Sequence, residues 1–283
     1  MIVHNTNPNK MKITSVFNRF WDAYSTQNPS AKRIHDLFTG QGERVIHDHI
    51  ALRTFNDPRM NIDVVAGIFT NNGYEQRGEY KFEVKRLFGR HYEHKTDPDA
   101  PKVFISELLL EKFSASLQDI VRERLDSLPD DAYNDPELVF RGSIWGKIPY
   151  AVYEELRHES EYAAWTLAYG YRANHFAIRV NDLKGFRDLK DVNAFVRKHG
   201  YLMNTSSGSD IYGSAEELLE QSATRAEIIP FEFSDGIHEI PACFYEFTKR
   251  YPDKMGKIYT GFIAANADKI FESTNFYSKD PGM

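Results

Sequence analysis

Apolar and polar positions change period several times along this 283-residue chain, and each change marks an expected element. Phe17, Phe20, Trp21 and Tyr24 recur at helical spacing, so a helix is expected there and another over residues 31–38. Residues 48–54, Asp-His-Ile-Ala-Leu-Arg-Thr, read as a strand, with alternate side chains on opposite faces. Val64, Val65, Ile68 and Phe69 return to helical spacing and stop at Asn72-Gly73-Tyr74. A glycine just past a helix accepts the left-handed conformation that ends it. Strand-like stretches follow at 79–84, 86–91 and 102–110.

The same order of signals then returns. Residues 174–180, Asn-His-Phe-Ala-Ile-Arg-Val, keep His, Ala and Arg in register with 48–54. Val192, Phe195 and Val196 form a helical face ending in His199-Gly200-Tyr201, and the His-to-Gly spacing differs by only one residue between the copies. Strand-like segments at 211–212, 226–233 and 242–247 complete the second copy. Two βαβββ modules are therefore expected. Paired about a pseudo-twofold axis, such modules build the cupped mixed sheet of the vicinal-oxygen-chelate superfamily, an α+β architecture adopted here by analogy.

Outside the repeat the pattern is helical. Phe113, Leu117, Ile120, Val121, Leu125 and Leu128 follow a 3.6-residue period, residues 150–169 read as one helix, and another is expected near 264–272. The chain thus reads as a single compact unit over 1–283. Its first module spans 45–111, a helical insert 112–172, the second module 173–250 and a C-terminal tail 251–283.

Composition narrows the class. Acidic residues outnumber basic ones 41 to 35, for a net charge of −6 spread along the chain, which argues against nucleic-acid or polybasic membrane contacts. An apolar fraction of 41% supports a packed core, and no apolar run approaches the ~20 residues that span a bilayer. Residues 1–12 lack the apolar stretch of a signal peptide. Cys243 is the single cysteine, so an intramolecular disulfide and CxxC chemistry are excluded, and a reducing, cytoplasmic setting is expected.

On the repeated strands His49, Ala51 and Arg53 share one face, as do His175, Ala177 and Arg179. Module symmetry would bring the two histidines together, and two imidazoles beside a carboxylate suit a divalent transition metal. Glu246 and Glu107, each on the last strand of a module, are the candidate carboxylates, with ion pairing to Arg53 or Arg179 as the alternative role. His47 is placed at the rim, and His91 and His94 in solvent. No HExxH, P-loop, GxGxxG or GxSxG pattern occurs.

These residues carry a resemblance. Asp-His-Ile-Ala-Leu-Arg-Thr-Phe (48–55), Val-Phe-Ile-Ser-Glu-Leu (103–108), Glu-Ser-Glu-Tyr-Ala-Ala-Trp (159–165), Asn-His-Phe-Ala-Ile-Arg (174–179), Leu-Glu-Gln-Ser-Ala-Thr (219–224) and Phe-Tyr-Glu-Phe-Thr-Lys-Arg (244–250) occur in order. Together they resemble the 2-oxoadipate dioxygenase/decarboxylase family. The resemblance implies an iron(II) held by His49, His175 and Glu246, and Arg53 as clamp for the far carboxylate of the substrate. It implies O2-dependent decarboxylation and hydroxylation of a 2-oxo acid, 2-oxoadipate to 2-hydroxyglutarate in type. Gln221 and Ser222 match a motif near the pocket without an assigned role. Two rival functions are a glyoxalase-type metal isomerase or lyase, with Glu107 as fourth ligand, and a metal-free binding protein for small molecules.

Overall fold

The computed structural model describes residues 12–135, 137–206 and 208–275. Helices α1 (Ile13–Gln27) and α2 (Pro29–Gly40) precede strand β1 (His47–Phe55), helix α3 (Ile62–Thr70) and strands β2 (Tyr74–Phe82), β3 (Leu87–His94) and β4 (Lys102–Leu108). Helices α4 (Ala115–Asp126), α5 (Tyr150–Glu159) and α6 (Glu161–Tyr169) lead to β5 (Ala173–Arg179) and α7 (Leu189–Lys198). The chain ends in β6 (Tyr212–Ser214), β7 (Leu219–Ala223), β8 (Ile228–Phe233), β9 (Gly236–Pro241), β10 (Phe244–Arg250) and α8 (Ala264–Phe271).

Eight strands form one mixed sheet in the order β2-β3-β4-β1-β5-β10-β7-β6. Its two halves follow the same path. In each, the first strand pairs in parallel with the last, β1 with β4 and β5 with β10, and the antiparallel β1–β5 pair joins the halves. Helices α3 and α7 occupy the same place in the two paths, and Gly73 and Gly200 follow them at φ 96° and 87°. Both glycines adopt the left-handed turn that their sequence context predicts.

Two local expectations give way. Residues 226–233 do not enter the main sheet: β8 pairs with β9 in a separate hairpin. Pro230 lacks the N–H that an interior strand must donate, so β7 takes the place beside β10. The expected helix over 150–169 is two helices. Ser160 between them is extended, at φ −152° and ψ 105°, and its hydroxyl caps α6 by accepting from the Ala163 N–H.

One face of the sheet packs on the N-terminal helices. Ile50 and Leu52 are buried there; Phe20 stacks on Phe69 and Trp21 meets Phe176 edge-on. A buried side chain of this size contributes roughly 1.5–3 kcal/mol. The opposite face of β1 is covered too, by α6 and the tail carrying α8, so the polar residues on it are enclosed. Among the described residues no helix is long and apolar enough to cross a membrane.

Candidate metal centre

Strand register explains the repeated motif. His49 lies opposite Ala177, and Ala177 opposite Glu246 on the next strand. Ala51 lies opposite His175. Each copy's alanine therefore sits beside the other copy's histidine, and its methyl leaves the space an imidazole fills.

The three polar side chains converge. His49 Nε2 and His175 Nε2 are 3.4 Å apart. Glu246 completes the cluster, with Oε1 3.5 Å from His49 Nε2 and Oε2 3.1 Å from His175 Nε2. All three residues are buried, and no other group of three His, Cys, Asp or Glu among the described residues is arranged to hold a metal ion. An ion bonded at ~2.1 Å to three mutually perpendicular ligands holds them about 3 Å apart, close to these spacings.

The protons can be placed. His49 Nδ1 lies 2.8 Å from Asp48 Oδ1. Burial pushes the Asp48 carboxyl up, but the Arg250 guanidinium outweighs it and holds it well below the usual carboxylate range. Asp48 therefore accepts and His49 Nδ1–H donates. His175 Nδ1 likewise donates to Asn174 Oδ1 at 3.1 Å. With the Nδ1 protons so placed, both Nε2 atoms turn toward each other and toward Glu246, and a cation between them would take both lone pairs.

Positive charge on the imidazoles stands in for such a cation. Burial opposes ionisation of Glu246, yet the two imidazoles hold it far below its ordinary value. For His49 the Glu246 and Asp48 carboxylates outweigh burial and raise its pKa, whereas burial wins at His175 and lowers it. Glu246 Oε1 accepts from Gln221 Nε2 at 2.7 Å and Thr248 Oγ1 at 2.8 Å. Oε2 accepts no hydrogen bond, although His175 Nε2 stands 3.1 Å away. The donor set fits a divalent metal ion with three protein ligands.

Arg53 lies on the same face of β1 and is buried, with no acidic partner among the described residues. Its Nη2 donates to Thr274 Oγ1 at 3.0 Å and its Nε has no partner. The guanidinium sits within 4.9–5.6 Å of the Tyr162, Trp165 and Phe271 rings, and burial depresses its pKa to about 10. Arg179, its counterpart, is partly buried and paired with Asp182 and Asp99.

Glu107 does not join the cluster. It faces away from the floor, and its Oε2 accepts the Ile62 N–H at the start of α3, 3.0 Å away. Register shows why: the residue beside Ala51 on β4 is Phe104, as Glu246 is the residue beside Ala177 on β10. The four-ligand set of the isomerase reading is not assembled. His91 is buried rather than solvated, bonded to Tyr80 and Glu93. His47 lies between Trp21 and Phe176 and bonds the Tyr245 hydroxyl. Gln221, unassigned from sequence, holds Glu246, and Ser222 bonds Asn193 of α7.

The cavity at the cluster is small, about 20 Å³, walled by Phe104, Gln221, Phe262, Ala267, Ile270 and Phe271. That is room for about one water molecule. A larger outer cleft of about 360 Å³ reaches Arg53, Tyr162 and Thr274 from the other side of Phe271.

Paired βαβββ halves in a cupped mixed sheet, with this His-His-Glu cluster on its floor, give a vicinal-oxygen-chelate-like fold. The profile of the 2-oxoadipate dioxygenase/decarboxylase family matches residues 4–135 and 137–254. A 2-oxoadipate dioxygenase/decarboxylase of Oryza sativa, named as chloroplastic/amyloplastic, is 34% identical over 92% of this chain and 78% of its own. The Oryza sativa hydroxyglutarate synthase solved with 2-oxoadipate superposes with TM-score 0.85 at 32% identity, covering 93% of this chain and 92% of that one. A Shewanella frigidimarina structure with a provisional hydrolase name is 46% identical, with TM-score 0.83 over 89% and 98% of the two chains. The chain belongs to the 2-oxoadipate dioxygenase/decarboxylase family, a family of enzymes.

Proposed function

We propose that the protein is an iron(II)-dependent oxygenase acting on a 2-oxo dicarboxylic acid, converting 2-oxoadipate and O2 to 2-hydroxyglutarate and CO2. The observation that carries this reading is Arg53: a buried guanidinium without an acid partner among the described residues, on the same strand face as His49. An unpaired buried cation is costly and is best compensated by an anion. A substrate carboxylate supplies it, held by a fork that lysine cannot copy.

In this reading His49 and His175 would hold the iron through Nε2 while Asp48 and Asn174 keep their Nδ1 protons in place. Glu246 contributes Oε2, its other oxygen being fixed by Gln221 and Thr248. A metal with only three protein ligands would have room for the 2-oxo acid and O2, and would supply the activation of O2. Arg53 exchanges the Thr274 hydroxyl for the remote carboxylate. The 20 Å³ chamber cannot hold a six-carbon acid, so the tail that carries Phe262, Ile270 and Phe271 withdraws to admit it, then excludes water. A chain with one buried thiol suits a reducing compartment, and we place it in the cytoplasm.

An oxygen electrode tests the reading. Protein loaded anaerobically with iron(II) should consume O2 only on addition of a 2-oxo dicarboxylic acid, with matching CO2 release. Isomerisation of a substrate by the zinc form, without O2 uptake by the iron form, would instead identify a glyoxalase-type enzyme.

A further inference from the structure

The two histidines of the cluster are held differently. The Asp48 carboxylate that accepts from His49 Nδ1 also receives both arms of Arg250, Nε to Oδ2 at 2.8 Å and Nη2 to Oδ1 at 2.9 Å. Arg250 Nη1 donates to the carbonyls of Tyr259 and Gly261, at 3.2 and 2.7 Å. The next residue, Phe262, stands edge-on to the His49 ring at 4.9 Å. Asp48, His49 and Arg250 are all at most 2% exposed.

The other half has no such unit. His175 Nδ1 meets the neutral amide of Asn174, whose Nδ2 has no partner. The position on β4 equivalent to Arg250 is Leu108, four residues beyond Phe104 as Arg250 is beyond Glu246.

On the reading that the cluster holds a metal, we propose that Asp48 and Arg250 are positioning residues that make His49 the anchoring ligand. The carboxylate fixes the ring and its tautomer and strengthens Nε2 as a donor, while the guanidinium fork fixes the carboxylate. His175, held by an amide, is the adaptable ligand. Arg250 also ties the stretch leading to Phe262 to the same carboxylate, so the wall of the chamber and the orientation of His49 share one anchor.

The test is a cobalt(II) titration, without substrate, of the wild type, Asp48→Asn and Asn174→Ala. Asp48→Asn gives the first half the Asn-His pair of the second. It should weaken cobalt binding 10–100-fold, the range for removal of such an outer partner, and Asn174→Ala should weaken it less. In the zinc-loaded protein, the downfield imidazole N–H resonance of His49 should move upfield in Asp48→Asn, while that of His175 stays. Because Asp48→Asn strands the Arg250 charge, a double variant, Asp48→Asn with Arg250→Met, removes both charges and should show the same loss. Wild-type cobalt affinity in either variant would overturn the proposal, as would loss of the fold in both, which would make the pair structural. Failure of the wild type itself to bind cobalt would instead sink the metal-centre reading.

Discussion

Strands β1 and β5 are copies of one motif with different outcomes. Both bury a histidine beside the partner's alanine, and both carry an arginine four residues on. In β5 that arginine pairs with Asp182 and Asp99; in β1 it is buried, with only Thr274 as hydrogen-bond partner among the described residues. The last strands differ as well, since the place beside the alanine holds Phe104 in one half and Glu246 in the other. Symmetry thus supplies the paired imidazoles. Divergence supplies the single carboxylate of the cluster and the buried arginine beside it.

The largest effect should come from the shared part of the motif. His49→Ala or His175→Ala should each weaken iron(II) binding by at least ~100-fold, with circular dichroism of the metal-free protein unchanged. Dialysis against iron(II) followed by metal analysis reads this, and retention of one iron per chain would remove that histidine from the ligand set.

The arginines come next. Arg53→Lys should raise KM for a 2-oxo dicarboxylic acid by roughly tenfold or more while sparing metal binding, because lysine cannot bind bidentately. Arg179→Lys should leave KM within about twofold, as this arginine is already paired with Asp182 and Asp99. Equal effects in steady-state kinetics would mean that the two arginines had not diverged in role.

A pH scan sharpens the contrast one step earlier on the strands, where His47 matches Ala173. Burial lowers the His47 pKa from 6.5 to about 3, with the nearby His35 and His49 charges adding to it. The unfolded chain therefore takes up this proton at higher pH than the folded one. His47 contributes stability above pH 6.5 that is lost progressively as pH falls toward 3. Chemical denaturation should show a shallower acid loss for His47→Gln than for wild type.

The smallest effect belongs to Glu107. Glu107→Ala should leave metal affinity unchanged and reduce stability by about 1 kcal/mol, the worth of the hydrogen bond that caps α3. A large loss of metal on this change would restore Glu107 as a ligand.

Much of this was legible from periodicity. The repeat exposes the paired histidines, and the Gly-Tyr stops mark the ends of α3 and α7. Choosing between Glu107 and Glu246 was harder, because both lie in apolar strands and the choice depends on which residue each strand pairs with Ala51 or Ala177. The Asp48–Arg250 pair spans 202 residues of chain and has no local pattern. Residues 226–233 read as a strand of the second module, and their place in the β8–β9 hairpin, where Pro230 is accommodated, depends on pairing. Closure of the chamber by Phe262 and Phe271 likewise arises from the tail folding back over the sheet, a contact that neither helical nor strand periodicity encodes.

The most direct test of the central claim is anomalous diffraction at the iron edge, from crystals loaded anaerobically with iron(II). One peak within bonding distance of His49 Nε2, His175 Nε2 and Glu246 Oε2 is the predicted result. Iron bound elsewhere, or a chamber without an iron peak under saturating metal, would contradict it.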